Sequence, residues 1–476
     1  MTFKLNDMRQ LVFLFLFFPS LVLAQVELSL SSCKEMALQN SQQLRIADRQ
    51  QQKAIYEVRR YRADFYPKVS LVGLGFYHQR KYDYSLKGGY LPVYKSGNDG
   101  KLEPDVMINP ETLQPLIGSD GQPIFNLYAF LPDMKLQLNL RGIYSTGVQL
   151  EQPIYWGGKI RIAHQMAEIG EDIATKNVRF CRSEVLLETE QAYWQLLREE
   201  EQLLAVQKYR AVLQELLKNL QEAEAVGMVT FNETLKAMVR YNEANLMVQQ
   251  SQNGRTLARM NLCRLVGLSL ETELHLQDSL SEQVDPQIWQ WDTTIQARPD
   301  YDLLKYEVEL KSRQVVLQRA DFLPQLGISL GYGYSGGLKL NGEGENGATL
   351  MALATLKIPI FYGGAGRHKV RSARMDEEIS QLNLDKSVQL MQLEVASARY
   401  NLQDAQYRVV MARQALAQAN ENLKVSTDQY QVGTENLAAL LEAQAQWQNA
   451  YSQWIDAKAL LHVGVSIYLK SIGKLE

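Results

Sequence analysis

The residue types that usually carry catalysis or metal binding are sparse in this chain. Its 476 residues include five histidines and three cysteines, namely His78, His164, His275, His368, His462, Cys33, Cys181 and Cys263. No two histidines stand at the spacing of a metal site, and no GxSxG, Walker or HExxH motif is present. The cysteines are too few and too scattered for a disulfide framework or a paired-cysteine zinc site. The sequence therefore predicts no enzyme, no metal and no cofactor.

Composition points to a protein with a packed core rather than a nucleic-acid binder. Lys+Arg number 50 and Asp+Glu 53, so no net basic field would attract nucleic acid. Hydrophobic residues make up 46% of the chain, which is ample for a core, and only 13 residues are proline. The low proline content favours long uninterrupted helices. The 24 tyrosines call for a separate explanation.

The first 24 residues have the form of a secretory signal peptide. Lys4 and Arg9 precede an apolar run over residues 11–23, and small residues lead up to Ala24. The run is shorter than the roughly 20 residues of a spanning helix. A lipoprotein alternative would use Cys33, but that cysteine stands nine residues beyond Ala24. Since no later stretch of 18 apolar residues occurs, the exported chain is periplasmic, secreted or inserted as a β-barrel.

An internal repeat organises the exported part. QPIYWGG at 152–158 recurs as IPIFYGG at 358–364, and Val226-Gly227 recurs as Val432-Gly433, both at an offset of 206 (359 − 153 and 432 − 226). ADFYP at 63–67 matches ADFLP at 320–324 at an offset of 257 (320 − 63). The first copy thus holds 51 surplus residues (257 − 206). They fall in a Gly-, Pro- and Asn-rich segment over 81–132, which predicts a long loop.

Two matched segments, 159–225 and 365–431, contain no proline and one glycine each. Each predicts one helix of roughly 100 Å. In the second, apolar and small residues follow steps of four and three, which is a coiled-coil seam; its members are Met391, Val395, Ala398, Leu402, Ala405, Val409, Ala412, Leu416, Ala419, Leu423, Ser426 and Tyr430. Apolar residues beside the seam, such as Leu390 and Tyr407, indicate that each helix touches two neighbours.

Shorter helices would return along the long ones, which favours a bundle over a dimeric coiled coil. Helical stretches cover 230–265 and 298–322 in one return path, and 434–469 together with 31–64 in the other. The predicted domains are a first repeat over 25–265, an irregular connection over 266–297 and a second repeat over 298–476.

Between the helices lie segments of alternating hydrophobicity. They predict two β-hairpins, 66–80 with 135–155 and 324–336 with 347–361, each strand about as long as a tilted transmembrane strand. Aromatic residues flank the strands, as at a water–lipid interface; those singled out are Tyr66, Tyr77, Tyr155, Trp156, Tyr334, Phe361 and Tyr362. Soluble hairpins capped by aromatics are the alternative. Because four strands cannot close a barrel, membrane insertion would require several copies.

This order of elements resembles the TolC-like outer-membrane efflux proteins over essentially the whole exported chain. The resemblance implies a mainly α fold with two β-hairpins per chain: a homotrimer with a 12-stranded transmembrane β-barrel in the outer-membrane lipid and a periplasmic coiled-coil tunnel, or α-barrel. It also implies a passive exit duct of a tripartite efflux or type I secretion system, with a periplasmic adaptor and an inner-membrane transporter as partners. The 51-residue surplus departs from the family pattern.

The resemblance further places function on particular residues. At the periplasmic tip, the adaptor would contact Val226, Gly227, Met228, Val432, Gly433 and Thr434. Turn geometry alone also accounts for both glycines. Carboxylates beyond the turns would narrow the entrance, which points to Glu233 and Glu442; Ala439 departs from the more acidic family examples. A ring of three Glu442 carboxylates would favour cations, whereas a solvated helix residue is the plainer alternative.

Two hypotheses of different classes therefore stand. The first is an outer-membrane channel-tunnel that serves as an exit duct. The second is a soluble periplasmic coiled-coil scaffold without a barrel. Outer-membrane fractionation of a heat-modifiable trimer separates the two.

Overall fold

The structure is a computed structural model that describes residues 26–79, 81–139, 142–291 and 293–475. The predicted signal peptide, 1–24, lies outside the described residues. The chain forms two compact units. The helical unit comprises the described residues of Met1–Tyr61, Arg161–Gln318 and Arg367–Glu476; the strand unit comprises those of Arg62–Ile160 and Arg319–Gly366. None of the described helices is both long and apolar enough to cross a membrane.

The helices differ widely in length. In chain order they are α1 (Leu30–Asn40), α2 (Gln42–Ala63), α3 (Lys159–Ala225), α4 (Phe231–Val266), α5 (Pro299–Ala320), α6 (Ala365–Gln431) and α7 (Leu437–Ser471). Both α3 and α6 contain 67 residues. The sequence analysis predicted one helix over 31–64, but the chain leaves helical geometry at Ser41, whose ψ is 120°. The Ser41 hydroxyl accepts a hydrogen bond from the Leu44 N–H at 3.2 Å, so it caps α2 instead of continuing α1.

Within the helical unit, α3, α4 and α7 share one core, and α6 packs on α7 in another. Leu213 and Leu220 of α3 share a core with Ala237 and Ala244 of α4 and with Leu441 of α7. A second core joins α6 to α7, and its members are Val395, Ala398, Leu402, Ala405, Val409, Ala457, Leu461 and Tyr468. The α6 residues of this core belong to the seam predicted from sequence. Small and large side chains alternate along it, so α7 approaches closely.

The segment that follows α4 and leads to α5 pairs with the first described residues of the chain. Strand β1 (Val26–Leu28) pairs in parallel with β10 (Leu274–Leu276), with Val26 opposite Leu274. The Asp278 carboxylate accepts hydrogen bonds from the Leu30 N–H at 2.9 Å and from the Tyr193 hydroxyl at 2.6 Å. Two short 3₁₀ helices, Pro286–Gln290 and Ile295–Ala297, complete the connection.

Cys33 lies on α1 inside the core that surrounds this connection. Its side chain is fully buried, together with Cys263 and Tyr193. Burial, more than any neighbouring charge, raises the pKa of the Cys33 thiol to about 12. Since it is a packed core residue preceded by β1, Cys33 is poorly placed for the lipid attachment weighed in the sequence analysis.

Four strands form the main antiparallel sheet of the strand unit. They are β2 (Lys68–Phe76), β9 (Ile143–Trp156), β11 (Gln325–Gly336) and β13 (Gly347–Lys357), in the order β13-β11-β9-β2. The register places Leu150 opposite both Val69 and Leu330. A bulge between Leu326 and Gly327 shifts the pairing of β11 with β9. The strands from the two predicted hairpins therefore belong to one sheet.

The segment 81–132 is not the irregular loop that the sequence analysis predicted. It contains β3 (Lys81–Leu86), β4 (Gly89–Pro92), β5 (Tyr94–Ser96), β6 (Leu102–Pro104) and β7 (Tyr128–Leu131). Strand β4 pairs with β7, and β5 with β6. Its glycines and aspartates make hairpin turns: Gly100 has φ 75°, and the Asp99 carboxylate accepts the Lys101 N–H at 3.1 Å.

The two ends of this segment meet in a second, smaller sheet. It consists of β3, β8 (Met134–Asn139) and β12 (Lys339–Leu340), in the order β12-β8-β3. The sequence analysis assigned 135–155 to one strand, but the structure divides it into β8 and β9. Gly142, with φ 72°, lies between the two strands. As a result, β8 pairs with β3, and β9 pairs with β2.

Candidate functional site

The turn between α3 and α4 displays apolar side chains around a glycine. Gly227 has φ 76°, a conformation that disfavours other residues. The Gly227 N–H donates to the Glu224 carbonyl at 2.9 Å, and the Met228 N–H donates to the Ala223 carbonyl at 2.8 Å. These bonds satisfy the last carbonyls of α3. Val226 and Met228 remain 69% and 81% exposed, so they contribute to no core of the chain.

The turn between α6 and α7 has the same geometry. Gly433 also has φ 76°, and its N–H donates to the Tyr430 carbonyl at 3.1 Å. The Thr434 N–H donates to the Gln429 carbonyl at 2.9 Å. Val432 is exposed, like its counterpart Val226. The two turns thus present similar surfaces: a β-branched apolar residue beside a backbone bend that glycine permits.

The residues after the turns are caps. In α4, the Glu233 carboxylate accepts hydrogen bonds from the backbone N–H of Thr230 at 3.1 Å and from its hydroxyl at 3.3 Å. This is a capping box, and the T-x-x-E pattern in the sequence was sufficient to predict it. In α7, the Asn436 side chain instead accepts the Ala439 N–H at 3.0 Å. An asparagine cap needs no acid three residues later, which explains why position 439 can be alanine.

Glu442 is the second carboxylate that the resemblance singled out. It is exposed on α7, where its Oε1 accepts a hydrogen bond from Gln446 Nε2 at 3.1 Å. Its neighbours Leu441 and Ala443 are buried, so Glu442 projects from a different face of the helix. Glu233 is half-buried. Glu442 therefore faces solvent, while the Glu233 carboxylate already caps α4.

Aromatic side chains lie at both ends of the four-stranded sheet. Tyr155 and Trp156 end β9 and pair with Leu326 and Gln325. At this end the chain also places Tyr66, Phe361 and Tyr362; at the opposite end it places Tyr77 and Tyr334. All seven are exposed. Eight residues of β11 (334 − 326) separate the two levels, which is about 26 Å at the usual strand rise. At the tilt of about 35–45° that barrel strands have, this length corresponds to a height of roughly 20 Å, close to the apolar band of about 25 Å of an outer-membrane barrel.

The sheet has one apolar face and one more polar face. The register brings alternate apolar residues of the four strands to one face; its large members are Val69, Leu71, Val148, Leu150, Leu326, Ile328, Leu330, Tyr332, Leu350 and Leu356. The other face carries Gln149, Glu151 and Ser329, and the Gln149 amide donates to both Glu151 and Ser329. A groove on this face is lined by apolar as well as polar side chains, among them Val72, Leu74, Met351, Ser145 and Thr349.

Each unit has strand edges or helix faces that no other described part of the chain covers. Strands β2 and β13 each pair with one other strand. In the helical unit, α4 and α6 each carry an exposed apolar stripe. On α6 the stripe is Met375, Ile379, Leu382, Leu393, Tyr400 and Tyr407; on α4 it is Phe231, Leu235, Val239, Leu246 and Leu257. Their steps of 3, 4, 7 and 11 keep each stripe on one face.

Among the described residues, histidines make local contacts, such as that of His164 Nδ1 with the Glu168 carboxylate at 3.5 Å. No group of three potential metal ligands occurs within them. His462 of α7 stacks on Trp194 of α3, a contact that its position in the sequence did not indicate. Sequence analysis also missed the full α6 stripe, although Tyr407 was noted beside the seam. Stepping back from Tyr407 by seven residues at a time would have added Tyr400 and Leu393.

Comparison with known proteins finds a partial match to one family model and to two sequence relatives. Residues 292–463 match the family model described as outer membrane efflux protein. The alkaline protease secretion protein AprF of Pseudomonas aeruginosa is 27% identical over 223 residues, which is 45% of this chain and 46% of AprF. The matched region thus spans about half the length of that relative.

Solved structures extend the likeness to nearly the whole chain. The outer membrane channel CmeC of Campylobacter jejuni has a TM-score of 0.70 and 17% identity, covering 94% of this chain and 85% of CmeC. The outer membrane protein VceC of Vibrio cholerae has a TM-score of 0.69 and 17% identity, covering 93% and 96%. The chain is thus similar to the outer membrane efflux protein family over residues 292–463 and shares the fold of CmeC and VceC over more than nine-tenths of its length, which confirms the predicted resemblance.

Proposed function

We propose that this protein is the outer-membrane exit duct of a tripartite efflux or type I secretion system. The strand unit would lie in the outer membrane and the helical unit in the periplasm. The observation that carries the proposal is the four-stranded sheet itself: an apolar face that extends about 26 Å along β11, between two levels of exposed aromatics. A soluble scaffold would leave this face in water at a large free-energy cost.

The duct would be a homotrimer. Four strands are too few to enclose a channel, whereas three copies supply twelve. The free edge of β2 in one copy would pair with the free edge of β13 in the next, and the α4 stripe would pack on the α6 stripe of the next copy. Each contact joins one surface of a copy to a different surface of the next copy. Such a head-to-tail interface closes into a ring when the rotation between copies is a third of a turn. The closed sheet would leave no unpaired edge.

The polar face of the sheet would then line the pore. Gln149, Glu151 and Ser329 would offer hydrogen-bonding groups to water and solutes. No chemical step is required of the protein, because energy would come from the inner-membrane transporter. The duct supplies a water-filled path through lipid, lined by polar groups and sealed by a continuous hydrogen-bonded wall.

The adaptor would bind at the α3–α4 and α6–α7 turns. Exposed Val226, Met228 and Val432 offer apolar area, and the fixed bends at Gly227 and Gly433 hold it in a defined position. Glu442 would line the entrance and favour cations, since three like charges around an axis attract counterions. Glu233 is the weaker candidate for the entrance because its carboxylate is engaged in the capping box.

Outer-membrane fractionation tests the proposal. Membranes from cells that make the full chain are separated by density, and the outer-membrane fraction is analysed on denaturing gels with and without boiling. We expect the protein in this fraction as a trimer that boiling converts to a monomer. A monomer in the periplasmic extract would instead support the scaffold hypothesis. A variant with Leu71 and Leu150 both changed to Asp serves as a control, because charges on the apolar face should prevent insertion.

A further inference from the structure

The segment that departs from the family pattern has its own unpaired edge. In the described residues β3 pairs with β8 alone, just as β2 pairs with β9 alone. The outer N–H and C=O groups of β3 therefore have no strand partner. An exposed edge of this kind is a template for pairing with another chain unless it is covered or charged.

The free edges of β2 and β3, in two different sheets, follow one another along the chain. Strand β3 begins five residues after β2 ends, and a run of stacked rings joins them: Phe76 lies 6.3 Å from His78, and His78 lies 5.6 Å from Tyr82, between ring centroids. The order β12-β8-β3 also repeats the order β13-β11-β9-β2, since β12 lies in the hairpin between β11 and β13. A copy that pairs with β2 would therefore also meet β3.

The two sides of the smaller sheet are chemically complementary. On β3, Tyr82 and Tyr84 are 50% and 67% exposed, and the Asp83 carboxylate between them is also exposed. On the opposite side, Leu338 and Leu340 are about half exposed and flank the exposed Lys339. Each side thus offers two apolar side chains around one charge, and the two charges are opposite. Pairs of apolar side chains and pairs of opposite charges on neighbouring strands both stabilise antiparallel sheets.

We propose that β3 of one copy docks against the β11–β13 hairpin of the next copy, around β12. The occupant of the β3 edge is thus a second copy of this chain. The 81–132 segment is thereby part of the interface between copies, and it extends that interface beyond the four-stranded sheet. This inference rests on the proposed ring closure, but it can fail while the ring still forms.

Cysteine pairing across copies tests the contact in outer membranes. Tyr84→Cys is combined in turn with Leu338→Cys or Leu340→Cys, and tetrathionate oxidises each pair of thiols to a disulfide while it is reduced to thiosulfate. Within one chain β8 separates β3 from β12, so two strand spacings of about 4.8 Å keep the Cα atoms beyond disulfide reach. Linked chains on a boiled, non-reducing gel then report a contact between copies.

We expect at least one pair to convert most of the protein to linked dimers and trimers. Leu102→Cys, on β6 and 75% exposed, replaces Tyr84→Cys in the control and should give no linked chains. A normal heat-modifiable trimer without any linked pair would overturn the inference and leave the duct intact, as would equal linking through Leu102→Cys. Loss of the trimer in the unsubstituted protein would instead reject the proposed function and this inference together.

A second measurement does not depend on cysteine geometry. Tyr84→Ser should lower the temperature at which the trimer dissociates by several degrees, because it removes apolar area from the docked edge. Tyr94→Ser, in the β5–β6 hairpin, is the matched control and should leave that temperature unchanged. If a glycan or another protein covers the β3 edge, Tyr84→Ser and Tyr94→Ser will not differ in purified trimer, and the inference is then wrong.

Discussion

The imidazole of His462 lies flat against the indole of Trp194, with ring centroids 4.0 Å apart and planes 16° apart. His462 Nε2 accepts a hydrogen bond from the Ser281 backbone N–H at 3.0 Å, which requires that nitrogen to be unprotonated. Burial is the main factor that lowers the pKa of His462, and the nearby Lys458 lowers it further. This stack joins α3, α7 and the connection between the helical hairpins.

Acid should therefore weaken the helical unit. The unfolded chain takes up a proton at His462 near pH 6.5, whereas the folded chain resists it, so the free energy of unfolding falls as pH drops below about 6.5. We expect thermal unfolding at pH 5 to occur at a lower temperature than at pH 7. His462→Gln, whose side-chain oxygen can still accept the Ser281 N–H, should reduce this difference. His275→Gln, at an exposed site on β10, should not; equal effects of both variants would contradict the assignment.

The thiol of Cys33 should be unreactive while the protein is folded. It is buried in a core and its pKa is raised, so little thiolate is present at pH 8. We expect a maleimide to label Cys33 only after denaturation. Val432→Cys, at an exposed tip position, is the positive control and should be labelled within minutes. Rapid native labelling of Cys33, located by mass spectrometry, would disprove the packing of α1.

The two helix caps beyond the tip turns should differ in what they tolerate. Asn436→Ala removes the acceptor for the Ala439 N–H and should destabilise the start of α7 by about 1 kcal/mol. Ala439→Glu should cost little, since it recreates the residue that position 233 holds in the first turn. Hydrogen exchange of amides in the first turn of α7 measures both effects. Faster exchange in Ala439→Glu than in Asn436→Ala would be the opposite of this expectation.

The α6 stripe should govern assembly without governing the fold of the single chain. Leu382→Glu or Leu393→Glu places a charge on the face that we assign to the neighbouring copy, so trimer yield should fall severalfold. Gln381→Glu, an adjacent exposed position, is the matched control and should assemble normally. The readout is the ratio of trimer to monomer on unboiled gels. Normal trimer yield for both leucine variants would show that this stripe faces something else.

Glu442 should set ion selectivity if it lines the entrance. Reversing its charge with Glu442→Lys would place three cations around the axis, so the cation-to-anion permeability ratio should fall. The measurement is the reversal potential of single channels in a planar bilayer under a salt gradient. Glu271→Lys, at an exposed position between the helical hairpins, controls for the change in total charge. An unchanged ratio for Glu442→Lys would rule out its place in the constriction.

Much of the architecture could be predicted because long-range order leaves a strong pattern in the sequence. The steps of four and three from Met391 to Val409 identify a packed helix face whatever its partner is. The alternation of Leu326, Ile328 and Leu330 with small residues likewise marks a two-faced strand. The family resemblance followed from these elements in order, and the comparisons confirm it.

Local competition for hydrogen bonds was harder to predict. Ser41 ends α1 because its hydroxyl caps the next helix, which depends on one backbone angle rather than on any periodic pattern. The 81–132 segment looked irregular since its strands are three to six residues long and its turn residues dominate the composition. Glu233 was assigned to the entrance by resemblance, although the capping box with Thr230 could have been recognised. The roles of the tip residues and of Glu442 stay predictions.

The pairing of β1 with β10 has a consequence for how the chain matures. Val26 and Leu274 are 248 residues apart in the sequence (274 − 26), yet they are adjacent in the fold. The first strand can therefore find its partner only after more than half of the polypeptide has been exported. Contacts of such long range slow folding. Until then α1 lacks the core residues that bury its apolar face in the folded chain.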